Sequence, residues 1–195
     1  SNADNQTIET AVKRDALVSL NLLRLVNSRA VPGPRIESLS QALAVLGRRQ
    51  LGRWLQILLY TAAGAQVSLD SPLLQLATTR GKLLELMTLR VRPGDTASAD
   101  RAFTVGIMSL AEALFSVRMA EILVHVEIAH DVRDALIDRD GDFGTMLRIA
   151  ELLEAAVGGQ KLSAELKKIG LTVPEVREIE LAAFDWVREL THDVR

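Results

Sequence analysis

Residues 38–62 read Ser38-Leu39-Ser40-Gln41-Ala42-Leu43-Ala44-Val45-Leu46-Gly47-Arg48-Arg49-Gln50-Leu51-Gly52-Arg53-Trp54-Leu55-Gln56-Ile57-Leu58-Leu59-Tyr60-Thr61-Ala62. Ser38 and Gln41 have the spacing of a capping box, in which the two side chains satisfy each other's free backbone N–H groups at a helix start. Gly47 then supplies a helix stop. Beyond it Leu51, Trp54, Leu55, Leu58, Leu59 and Ala62 recur at the three- and four-residue steps of one helix face. The stretch predicts two helices in succession, and no apolar–polar alternation of the strand kind runs through it.

Working outward gives the same answer at both ends. Ser1-Asn2-Ala3 reads as a remnant of tag removal, and the absence of methionine before Asp4 fits a segment taken from inside a longer gene product. Ile8, Ala11 and Val12 predict a short helix. Asp15 can cap a second helix to about Val26, whose polar stripe is Asn21, Arg24 and Ser28. Val31-Pro32-Gly33-Pro34 is a loop. Ser71 and Pro72 read as N-cap and first helical residue of a helix reaching about Leu89. Gly81 lies inside it, where glycine costs about 1 kcal/mol relative to alanine; close packing of another helix or a local bend would account for it. Arg92 to Asp95 form a turn, and Ala97 to Ala99 continue a small polar linker. Phe103, Ile107, Leu110, Ala111 and Leu114 stripe a further helix, followed by short ones over 119–124 and 131–137. Arg139 to Asp142 form a turn. Met146, Ile149, Ala150, Leu153 and Val157 stripe a helix ended by Gly158-Gly159. Leu162, Leu166 and Ile169 mark one stopped by Gly170. Thr172, Pro174 and Glu175 open the last, lined by Val176, Ile179, Ala183, Trp186 and Leu190. The expected fold class is all-α, with about ten helices, short connections and no internal repeat.

Composition narrows the chemistry. The chain has 195 residues, no cysteine, three histidines, one tyrosine and net charge −2. Disulfides, thiolate nucleophiles and cysteine-bound zinc are excluded, which fits a reducing cytoplasm. No apolar run is long enough for a membrane span. Phosphate-loop, dinucleotide-loop, zinc-protease and nucleophile-elbow motifs are all missing. One dense patch of ligand-type residues exists, His125-Val126-Glu127-Ile128-Ala129-His130-Asp131. A metal reading uses the two imidazoles and the carboxylates. The bland reading puts His125 at the end of one helix and His130 with Asp131 at the start of the next. On a single helix the two histidines would point about 140° apart and share no metal. Arg24, Arg29, Arg35, Arg48, Arg49 and Arg53 meet one acid, Glu37, in their stretch. Guanidinium groups suit carboxylate or phosphate partners, so the stretch is a candidate docking surface. The alternative is a solvated face balanced by Asp138, Asp140 and Asp142. Nucleic-acid binding is disfavoured, because the net charge is negative and aromatic residues are not interleaved with the arginines.

Three blocks of sequence carry a resemblance. They are Leu22-Leu23-Arg24-Leu25-Val26-Asn27-Ser28, the block from Ser38 to Gly47, and the block from Arg48 to Trp54. Together with Asp15-Ala16-Leu17, the order resembles the HDOD domain. Arg80 to Leu86 resembles the family's arginine–glutamate helix, and Ala102 to Leu110 its phenylalanine–glycine–serine helix. Ala135-Leu136 before Gly141 also fits. The matching motif positions are Asn27, Ser28, Leu46, Gly47, Arg80, Glu85, Phe103 and Gly106. The likeness covers residues 5–157 and is greatest to the variant found C-terminal to EAL domains. It implies an HDOD domain over 4–157, after the remnant 1–3, with 158–195 as a helical extension packed on the same domain. HDOD domains are relatives of the HD metal-dependent phosphohydrolases and are thought to supply signalling output. Where an HD hydrolase carries histidine and aspartate, this chain has Ser109 and Leu110. The resemblance therefore implies a non-catalytic module with no metal or cofactor, whose partner is an EAL domain of the same native chain or a second copy. Arg24, Arg48, Arg49 and Arg53 are the candidate contact surface. The rival readings are a residual HD-type phosphohydrolase using His125, Glu127, His130 and Asp131, and a nucleic-acid-binding helical domain.

Overall fold

The computed structural model describes Gln41 and residues 72–124, 128–156 and 159–192. Among these residues all regular structure is helical, in agreement with the all-α expectation. Six helices have eight residues or more: α1 Pro72–Val91, α2 Thr96–Met108, α5 His130–Ile137, α6 Gly141–Glu154, α7 Gln160–Lys168 and α8 Val173–His192. Two single-turn helices, α3 Ala111–Phe115 and α4 Met119–Leu123, lie between α2 and α5. Gln41 is helical too, but the rest of the 38–62 reading lies outside the described residues. None of the described helices is long and apolar enough to cross a membrane.

The local signals account for most helix ends. Pro72 is the first residue of α1, where its missing N–H costs nothing. Thr172 and Glu175 form the expected pair at the start of α8: Glu175 Oε2 accepts from the Thr172 backbone N at 2.9 Å and from its hydroxyl at 2.6 Å. That pairing holds the Glu175 carboxyl below its ordinary value. Gly170, at φ +72°, ends α7. The Leu171 N–H reaches back to the Leu166 carbonyl at 3.0 Å and the Gly170 N–H to Lys167 at 3.3 Å, the paired bonds of a Schellman stop.

Three boundaries and one buried face differ from the sequence reading. Residues 97–99 are not linker but the first turn of α2, because the Asp95 carboxylate caps it by accepting from the Ser98 N–H at 2.9 Å. The stripe from Phe103 to Leu114 is broken at Ser109-Leu110 into α2 and α3. The helix expected to follow the 139–142 turn already begins at Gly141, capped by Asp140. In α8 the buried face runs through Val176, Ile179, Ala183, Val187 and Leu190, so Val187 takes the position expected of half-exposed Trp186.

The chain divides into two compact units, one of residues 75–185 and one of residues 1–74 with 186–195. The 75–185 unit is built around α6. Phe143, Met146, Leu147, Ile149, Ala150 and Leu153 are all buried, so α6 has almost no solvent face and acts as the central post. It packs against α2, α5 and α7. Leu84 and Met87 from α1, Val105 from α2, Leu162 and Leu166 from α7, and Val176, Ile179 and Ala183 from α8 join the same core. Each fully buried Val, Leu, Ile, Met or Phe side chain contributes about 1.5–3 kcal/mol relative to an exposed one.

Candidate functional site

The crossing of α1 over α2 decides where the motif residues lie. A Cβ built on Gly106 would stand 2.5 Å from the Gly81 N and 2.6 Å from the Arg80 carbonyl carbon and oxygen. The helices therefore touch backbone to backbone, and no side chain fits at Gly106. A Cβ on Gly81 would meet the Ile107 side chain at 3.0 Å and the Phe103 ring at 3.1 Å. Close packing is thus the reason for the glycine inside α1. Phe103 is fully buried against this crossing.

The close approach brings Arg80 to the end of α2. Its side chain is 9% exposed. The guanidinium forms a two-pronged pair with the Glu154 carboxylate, Nε to Oε1 and Nη2 to Oε2, both at 2.6 Å. Nη1 donates to Ser109 Oγ at 2.9 Å. Ser109 Oγ in turn donates to the Gly106 carbonyl at 2.7 Å. Ser109 is the last residue on the α2 ladder, its backbone N–H donating to the Val105 carbonyl at 2.9 Å. Arg80, Ser109 and Glu154 thus tie α1, α2 and α6 together around one buried charge.

Glu154 is absent from the sequence-level candidates. It does leave a signal: a carboxylate in the last turn of a helix opposes the helix dipole, which calls for a specific cation. Glu85, another motif residue, is nearly buried and pairs with Lys82 at 3.2 Å.

The other candidates do not converge on this network. His130 is the exposed first residue of α5. Asp131 accepts from Arg101 Nε at 2.9 Å and from the Val132 N–H at 2.9 Å. His125 and Glu127 lie outside the described residues, as do Arg24, Arg48, Arg49, Arg53, Asn27, Ser28, Leu46 and Gly47. Among the described residues no three His, Asp or Glu side chains are grouped as a metal-ligand set. Asp131, Asp134, Asp140 and Asp142 line a shallow cleft of about 190 Å³ with Arg92 and Phe143. Its charge is partly neutralised by the Arg92–Asp142 and Arg101–Asp131 pairs. A second cluster pins the α5–α6 corner. Arg148 contacts Glu165 at 3.1 Å and the Arg139 carbonyl, and Arg139 contacts Glu151 at 3.0 Å. Lys168 first, and Arg148 next, hold the Glu165 carboxyl below its ordinary value.

A protein with this helical fold and these motif residues is an HDOD domain: the HDOD family model matches residues 1–109, and the chain belongs to that family. Over 190 residues, 96% of the chain, it is 28% identical to a Vibrio cholerae protein named cyclic di-GMP phosphodiesterase CdgJ. Over 181 residues, 92% of the chain, it is 26% identical to the Bacillus subtilis protein YuxH, whose function is uncharacterised. The chain spans 42% and 43% of the lengths of these two relatives. No solved structure matches it.

Proposed function

We propose that this chain is a non-catalytic regulatory module of a longer cyclic di-GMP signalling protein. It acts through contacts with an EAL domain of the same native polypeptide, which hydrolyses or binds cyclic di-GMP. The observation that carries the reading is the alignment of 96% of this chain with 42% of a relative named a cyclic di-GMP phosphodiesterase. In this reading residues 4–157 form the module and 158–195 an extension packed on it. The shared core of Leu147, Leu162, Leu166 and Val176 supports that packing. The protein works in the cytoplasm, with a second copy of the chain as a further candidate partner.

The chemistry at the end of α2 supports a non-catalytic role. Ser109 stands where an HD hydrolase has histidine, and its hydroxyl is engaged by Gly106 and Arg80. Leu110 offers no ligand atom. The nearby Glu154 carboxylate is taken up on both oxygens by Arg80, so it too is engaged and not free to hold a cation. Arg24, Arg48, Arg49 and Arg53 are the surface we assign to the contact.

Calorimetric titration of the chain with the rest of its native protein tests that surface. Charge reversal at Arg48 and Arg49 weakens binding; unchanged affinity overturns the assignment. Elemental analysis of the purified chain tests the non-catalytic claim separately. The expected result is no stoichiometric metal. Stoichiometric Mn, Fe, Ni or Zn that is lost on His130→Ala would establish the phosphohydrolase reading instead.

A further inference from the structure

We draw no further inference here: the strongest candidate, the apolar groove between the C-terminal end of α1 and α8 that Leu86, Leu89, Pro93, Ile179 and Ala182 line, carries nothing, because nothing in the structure shows what covers it.

Discussion

Glu154→Ala removes the carboxylate that compensates Arg80 and leaves everything else in the network standing. The Arg80 side chain is 9% exposed and the Glu154 side chain 27% exposed. The guanidinium would keep its bond to Ser109 and lose both 2.6 Å contacts. Breaking a buried pair from one side costs about 3–5 kcal/mol, since the other charge stays desolvated. Water reaches Glu154 from one side, which places the expected loss at the lower end, about 3 kcal/mol. For a chain of this size each kcal/mol shifts the melting temperature by about 2–4 °C, so the loss corresponds to about 6–12 °C. Urea unfolding at neutral pH measures it directly as a fall in midpoint at constant slope. The double change Arg80→Met with Glu154→Leu should regain most of the loss, because a well-packed apolar pair replaces the buried charges. A loss under about 1 kcal/mol, the scale of an exposed pair, refutes the claim that one buried charge ties three helices together.

The α1–α2 crossing predicts an order of effects. Gly106→Ala forces a Cβ into backbone atoms at 2.5 Å and 2.6 Å, whereas Gly81→Ala meets only side chains at 3.0 Å and 3.1 Å. Overpacking costs about 1–3 kcal/mol where neighbours can adjust, so Gly106→Ala destabilises more than Gly81→Ala in the same unfolding assay; the reverse order contradicts the geometry. Acid should also weaken the fold through Glu175, whose carboxyl is held down by the Thr172 hydroxyl first, then the Thr172 N–H, from an ordinary value of 4.5. A folded pKa below the unfolded one gives stability that is present above about pH 4.5 and lost as pH falls through the folded value. Glu175→Gln therefore flattens the acid limb of urea midpoint against pH, and an unaltered limb counts against the cap. Gly170→Ala, at φ +72°, strains the stop of α7 by about 1 kcal/mol, read as a lower thermal midpoint; no change would remove the Schellman account.

What the sequence reveals here follows the range of the interactions. The openings of α1 and α8 and the stop of α7 depend on neighbours along the chain, so Pro72, the Thr172–Glu175 pair and Gly170 show them directly. The start of α2 is equally local, yet small polar residues hide it: Asp95 is a cap only if Ser98 is helical. The break at Ser109 coincides with a hydroxyl engaged by Arg80, which is 29 positions away. An uninterrupted apolar stripe gives no sign of it. Gly81 announces a close approach without naming Gly106 as the other side. Of the site, Arg80 and Ser109 are visible as motif positions, while Glu154 is 74 positions from Arg80 and enters only through the tertiary fold.

Under the proposed function, this module regulates cyclic di-GMP chemistry without performing it. Cyclic di-GMP hydrolysis by the native protein that carries this segment, measured beside the same protein lacking residues 4–195 and beside the segment alone, tests it most directly. No turnover by the segment alone is expected, and the rate of the native protein should change several-fold when the segment is removed. Turnover by the isolated segment, or an identical rate with and without it, would contradict the account.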